Sequence, residues 1–182
     1  MHNRKLIKIR QEKENINNFD QKIFFKEYQN DFVERVSLIN EEFENSLAFG
    51  FRGSKIEFSK NVKKVIYGNL GKSNKTNIIY DEELIPFKES SLDLIMSFFN
   101  LHFANDVPGI LYQTLRSLKP NGLFIASFFC ENTLQELNYS FIKAEEEICG
   151  GMSPRVSPFA SLQALASLMQ EVNFSLPVAD ID

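Results

Sequence analysis

Two apolar runs, Leu92–Phe98 (LDLIMSF) and Leu123–Phe129 (LFIASFF), constrain this chain more than any other feature. Each is almost continuously hydrophobic, as a strand covered on both faces must be. Between them, Asp106 is placed to cap a helix with Pro108 in its first turn. Ile110, Leu111, Leu115 and Leu118 would form the buried face of that helix, and Lys119-Pro120-Asn121-Gly122 stops it and turns the chain. A strand, a helix, a turn and a second strand within about 38 residues make a βαβ unit, whose strands are parallel and whose crossover is right-handed.

The rest of the chain fits around that unit. In Ile23–Asn40 the residues Phe25, Tyr28, Phe32, Val36 and Ile39 are spaced 3, 4, 4 and 3, one stripe of an amphipathic helix. Short β-type runs follow at Ser46–Phe51, Val62–Tyr67 and Asn77–Tyr80, with polar connections Gly53–Asn61 and Asn69–Thr76. Further on, Thr133 and Glu136 have capping-box spacing, Leu134, Leu137, Phe141 and Ile148 predict a buried helical stripe, and Gly150-Gly151 ends it. A helix is expected over Pro158–Val172, and Phe174–Val178 could begin another strand. Strands and helices in this alternation predict an α/β domain with a doubly wound, mostly parallel sheet.

Composition narrows the function. With 20 Lys and Arg against 24 Asp and Glu, the net charge is −4, which argues against a strongly basic nucleic-acid binder and against a disordered acidic tail. The apolar runs fall far short of the roughly 20 residues of a membrane span. Cys130 and Cys149 have no metal-ligand spacing, read as buried thiols, and suit a reducing, cytoplasmic setting; no metal site is expected. Residues 1–18, with Arg4, Lys5, Lys8, Arg10 and Lys13 among sparse apolar residues, read as a flexible leader, and 19–182 as a single domain. Only 8 glycines occur in 182 residues, which leaves few places for a loop whose backbone must touch a cofactor.

In open parallel sheets ligands bind at the carboxyl ends of the strands. The segments expected there are Phe49-Gly50-Phe51-Arg52-Gly53, Asp81-Glu82-Glu83 and Asn100-Leu101-His102. Glycines let backbone approach a ligand, and a carboxylate can accept from ribose hydroxyls or an adenine amine.

Three stretches are similar to the class I S-adenosylmethionine-dependent methyltransferases: Asp81-Glu-Glu-Leu-Ile-Pro-Phe-Lys-Glu-Ser-Ser-Leu-Asp-Leu-Ile95, Asn100-Leu-His-Phe-Ala-Asn-Asp-Val-Pro108 and Leu118-Lys-Pro-Asn-Gly-Leu-Phe124. Thr133-Leu-x-Glu-Leu137 and Gly150-Gly-Met-Ser-Pro-Arg-Val-Ser-Pro-Phe159 resemble segments of a subgroup. That subgroup contains a mitochondrial complex I assembly factor, associated with arginine hydroxylation, and the biotin-pathway malonyl-carrier-protein methyltransferase. The resemblance implies a Rossmann-like fold and S-adenosylmethionine as cofactor. It places Phe49, Gly50 and Gly53 at the methionine part, Asn69 near the ribose, Asp81 and Glu82 at the adenine, and Asn100 and Leu101 beside the sulfonium and substrate. Glu83, Pro86, Phe87 and Asp93 match structural positions. The acceptor is an unspecified small molecule or protein, a respiratory-complex subunit in the assembly-factor reading. The family continues through later strands, so the fold is expected to be truncated before them, and an uncovered sheet edge predicts occupation by Phe174–Val178 or by a second copy of the chain.

Departures from the family pattern predict weakened cofactor binding. The family loop reads approximately LDLGCGRG, whereas this chain reads Leu47-Ala-Phe-Gly-Phe-Arg-Gly53, with Ala48 replacing an acidic residue. Asn69 offers only an amide where the family carries a carboxylate, and loss of one charge-assisted hydrogen bond weakens binding by about 1.5–3 kcal/mol. His102 is the candidate catalytic base, weighed against a helix-entry histidine with a local hydrogen bond. Arg52 and Arg155 could grip an acidic group, against the default of surface arginines, and Glu145-Glu146-Glu147 reads as a solvated helix face. Three functions follow: a methyltransferase of unassigned acceptor, an assembly-factor-like protein, or an inactive remnant serving as an interaction module.

Overall fold

The sheet grows outward from a fully buried centre. The computed structural model describes residues 2–16, 23–51, 56–73, 76–157 and 159–181. Its elements are α1 (Arg4–Ile16), α2 (Ile23–Ser37), β1 (Phe43–Phe49), β2 (Val62–Asn69), β3 (Ile78–Ile79), β4 (Leu92–Phe98), a single 3-10 turn (Leu101–Phe103), α3 (Val107–Ser117), β5 (Leu118–Ser127), α4 (Gln135–Cys149) and α5 (Leu162–Glu171). The five strands run in the order β3-β2-β1-β4-β5. Every pair is parallel, as the βαβ pattern predicted. Leu47, Leu94, Ile95 and Met96 at the centre have no exposed surface, which is why those runs carry no polar alternation. Consecutive strands lead to one edge as far as β3, then the chain returns past β1 to β4 and β5. The switch point therefore lies between β1 and β4.

The chain forms two compact units, Met1–Phe128 and Phe129–Asp182, where the sequence suggested one domain from residue 19. In the first unit, α2 buries Phe32 and Val36 from the expected stripe. Asp106 accepts the Gly109 N–H at 2.9 Å and caps α3, which buries Ile110 and Leu111. β5 starts at Leu118 rather than Leu123, so the expected turn is part of the strand. Leu92 pairs Leu118 and Leu94 pairs Leu123, with an irregularity between them that takes up Pro120 and Asn121, the latter at φ 64°. Proline is tolerated here because β5 ends the sheet and donates on one side only. The residues of 123–127 are half-buried rather than fully covered.

Residues 4–16, expected as part of a flexible leader, form α1. Ile7 and Gln11 are buried.

The second unit departs most from expectation. Thr133 and Glu136 make no capping box: α4 starts at Gln135 behind Leu134, which sits at φ 61° without a side-chain cap. Its apolar stripe is uncovered, with Leu134 49%, Leu137 44%, Phe141 41% and Ile148 82% exposed. Gly150 ends α4 at φ 65°, as a glycine C-cap should. Cys149 is exposed and Cys130 half-buried, so neither is the enclosed thiol expected. Glu145 binds the Arg155 guanidinium at 2.5 Å and accepts from the Ser153 N–H at 2.7 Å, pinning the chain after α4. α5 begins at Leu162, capped by Ser161. Phe174–Val178 contains no strand and so does not continue the sheet.

Candidate functional site

The first residue past β1 fixes how closely the strand ends approach. Gly50 has φ +81°, and a Cβ there would lie 2.1 Å from the Phe98 carbonyl oxygen and 2.9 Å from the Asn100 Cβ. Only glycine permits both the left-handed backbone and the contact. The Gly50 N–H donates to Asn69 Oδ1 at 3.1 Å, and Asn69 Nδ2 donates to Thr76 Oγ1 at 3.3 Å. Gly50, Asn69 and Asn100, which the resemblance assigned to the cofactor, thus meet at the carboxyl ends of β1, β2 and β4. Leu101 follows in the 3-10 turn and is buried. Arg52 and Gly53 lie outside the described residues.

Beside Gly50 the space is taken by rings. Phe49 and Phe98 are 1% exposed and Phe51 is 5%. Phe51 stacks on Phe98 at 4.9 Å, and Phe32 of α2 meets both edge-on at 5.5 and 5.8 Å. Phe25 and Tyr28 of α2 approach Phe99 at 5.6 and 5.8 Å. The aromatic residues flanking Gly50 are core side chains that lash α2 to the sheet.

At the end of β3 stands an acidic turn. Glu82 is buried, Glu83 Oε1 accepts the Asn105 N–H at 2.6 Å, and Gln113 of α3 donates to the Glu83 carbonyl at 2.8 Å while accepting the Ile85 N–H at 2.9 Å. Glu83 is structural in this arrangement, as the resemblance implied. The group that meets all three carboxylates is Arg4 of α1. Its guanidinium reaches Asp81 Oδ1 at 2.5 Å, Asp81 Oδ2 at 3.3 Å, Glu82 Oε1 at 2.8 Å and Glu83 Oε1 at 3.9 Å, and donates to the Phe103 carbonyl at 3.1 Å. Burial opposes the Arg4 charge, but the Asp81 and Glu82 carboxylates outweigh it and raise its pKa. Tyr80 lies just before; burial, and then the Glu82 charge, push its phenol far up. Its ring packs where a Gly68 side chain would be, 2.1 Å from the position of a Cβ.

Arg4, Gln11 and Asn105 were not singled out from the sequence. Gln11 Oε1 accepts the Gly71 N–H at 3.1 Å, and Asn105 Oδ1 accepts the His2 N–H at 2.5 Å. The available signal was the spacing of Arg4, Ile7 and Gln11, three and then four residues apart and so on one helical face. His102 is half-buried in the 3-10 turn, its ring 4.1 Å from that of Phe103. Asp93 accepts the Asn45 N–H at 2.9 Å and pairs with Lys119 at 2.7 Å, joining β1, β4 and β5 as a structural residue.

A family model described as a methyltransferase domain matches residues 43–126, the span from β1 almost to the end of β5. The described chain superposes on a SAM-dependent methyltransferase from Thermotoga maritima with TM-score 0.58 at 16% identity, covering 88% of this chain and 78% of that one. The matched span is similar to a methyltransferase domain, and the fold is the Rossmann-like one of the class I methyltransferases. The chain's sequence relatives include an arginine-hydroxylase and an O-methyltransferase. The mitochondrial arginine-hydroxylase NDUFAF5 of Danio rerio is 40% identical over 105 residues, 58% of this chain and 33% of that protein. The malonyl-[acyl-carrier protein] O-methyltransferase of Xylella fastidiosa is 31% identical over 110 residues, 60% and 35% of the two chains. The chain spans about a third of the length of these relatives.

Proposed function

We propose that the carboxyl edge of this sheet binds the adenosyl part of S-adenosylmethionine, or of its demethylated product, with the purine facing Asp81. The observation that supports this is the position of Asp81 two residues past β3, in a sheet ordered β3-β2-β1-β4-β5, on the same rim as Gly50, Asn69 and Asn100. The purine half fits: the Asp81 side chain is 29% exposed, and each carboxylate oxygen has two acceptor positions. The remainder fits less well, because the Asn69 amide is engaged with Gly50 and Thr76 and because Ala48 offers no acceptor to an ammonium group. Bound S-adenosylmethionine would supply an electrophilic methyl group. The described residues of this chain account for orientation of its nucleoside end, and no transfer step is assigned to them.

Calorimetric titration with S-adenosylhomocysteine tests this. Loss of charge-assisted ribose contacts sets the expected affinity about 10–100-fold below that of an intact site. Asp81→Ala should weaken binding at least tenfold more, and a flat titration at millimolar ligand overturns the reading.

A second reading is favoured by the higher identity to the arginine-hydroxylase, 40% against 31% for the O-methyltransferase. There the acceptor is an arginine of a protein such as a respiratory-complex subunit. Mass spectrometry of an acceptor incubated with S-adenosylmethionine, or with dioxygen and a two-electron reductant, separates the two: one added oxygen atom supports hydroxylation, and one added methylene unit supports methyl transfer. Cytoplasmic residence and self-association through β5, which ends the five-stranded sheet, complete the proposal. Fractionation and sedimentation at several concentrations test them.

A further inference from the structure

α1 lies across the same strand ends that the nucleoside would need. Its first residue, Arg4, bonds Asp81 after β3 and the Phe103 carbonyl after β4, and Gln11 bonds the Gly71 N–H after β2. Seven residues of helix rise about 10 Å, so one short helix bridges the ends of three strands. The asparagine at 105 adds a clasp, accepting from the His2 N–H and donating Nδ2 to the His2 carbonyl at 3.2 Å.

Those bonds are mostly polar. Of the α1 side chains described, Ile7 is the only buried hydrocarbon, whereas Leu6 is 49% and Ile9 46% exposed. A helix docked this way has little apolar area holding it down, and such elements open well below the free energy of global unfolding. Arg4 meanwhile bonds both oxygens of the carboxylate that would face the purine amine, and Oδ1 also accepts the Glu83 N–H at 3.1 Å, so only one acceptor position, on Oδ2, is left beside the guanidinium.

We propose that Arg4 is a latch, an internal cation that holds α1 over the acidic turn and competes with the adenine amine for Asp81, so that nucleoside binding and release of Arg4 are coupled. This rests on the nucleoside-binding reading above. Coupling requires the two ligands to use one group differently, and here they use the same carboxylate. The guanidinium leaves without covalent change and is solvated by water. The buried Glu82, at 3% side-chain exposure, would lose its 2.8 Å partner and favours reclosure once the nucleoside departs.

The experiment uses the full chain and three variants: Arg4→Gln, Arg4→Lys and Asp81→Ala. Titration with S-adenosylhomocysteine should be about 3–10-fold tighter for Arg4→Gln than for wild type. Arg4→Lys should fall between, because an ammonium cannot span Asp81, Glu82 and the Phe103 carbonyl at once. Wild-type affinity should rise modestly with added salt, which screens the partly exposed Arg4–Asp81 pair, and the Arg4→Gln affinity should stay flat. Equal or weaker binding by Arg4→Gln, with Asp81→Ala still losing ligand, overturns the latch and leaves the nucleoside reading standing. Flat titrations in every protein overturn both. Hydrogen exchange without ligand checks the latch separately, since residues 4–16 should exchange faster in Arg4→Gln and Asp81→Ala while β1 and β4 keep their protection. Unchanged exchange of residues 4–16 in both variants overturns it, and loss of protection throughout marks misfolding, in which case Arg4→Lys decides: tighter S-adenosylhomocysteine binding than wild type supports the latch, and equal or weaker binding overturns it.

Discussion

The side-chain carbonyl of Asn69 accepts the Gly50 backbone N–H at 3.1 Å, tying the end of β2 to the first residue past β1. An acidic residue at this place could take two ribose hydroxyls; the amide is turned inward, with its nitrogen on Thr76. Asn69 is 7% exposed, so removing its acceptor strands a buried N–H. Asn69→Ala should lower stability by about 1–3 kcal/mol in urea denaturation. Asn69→Asp, which keeps an acceptor for Gly50, should lose less.

Gly50 admits no side chain. At φ +81° with a Cβ 2.1 Å from a backbone oxygen, Gly50→Ala must separate β1 from the end of β4. The expected loss is about 3 kcal/mol or more, read as a large fall in the melting temperature, since backbone cannot yield as a flexible side chain does.

Phe51 stands in a loop yet behaves as core, stacked on Phe98 at 4.9 Å and edge-on to Phe32 at 5.5 Å. Phe51→Ala should destabilise by about 3–5 kcal/mol, the range for emptying a buried aromatic site. A loss under about 1 kcal/mol would mean that α2 does not depend on this ring.

The Asp93 carboxyl has two opposing influences. Burial opposes its ionisation, but the Lys119 hydrogen bond, the Asn45 N–H and the Lys119 charge together hold it below its ordinary value. A depressed folded pKa gives stability that is present above the unfolded value, about 3.9, and lost as pH falls through the folded one. Stability should therefore be level above about pH 5 in this respect and decline below pH 4. Asp93→Asn should remove that part of the acid decline and cost up to about 1 kcal/mol at neutral pH, because Lys119 is partly exposed.

Much of the candidate site was readable along the chain. Asp81, Glu82, Asn100 and Leu101 follow strand runs whose apolar content marks them, and Gly50 follows β1. The amide role of Asn69 was not readable, because its partners Gly50 and Thr76 carry no sequence sign of the bond. The same holds for Arg4, which meets Asp81 across 77 residues. A basic leader has the same composition whether it is solvated or latched.

What the sequence alone determined were the features set by local chemistry: the parallel βαβ unit from Leu92 onward, the Asp106 cap on α3, the Phe32 and Val36 face of α2, and the glycine that ends α4. Each depends on side-chain period or on a backbone preference within a few residues. Only the tertiary structure decided whether a face had anything to cover it. Leu137 and Ile148 have the spacing of a buried stripe and stand exposed, whereas Ile7 and Gln11, in a segment too polar to suggest burial, are covered. Periodicity says which side chains share a face, and burial depends on what the rest of the chain brings against it.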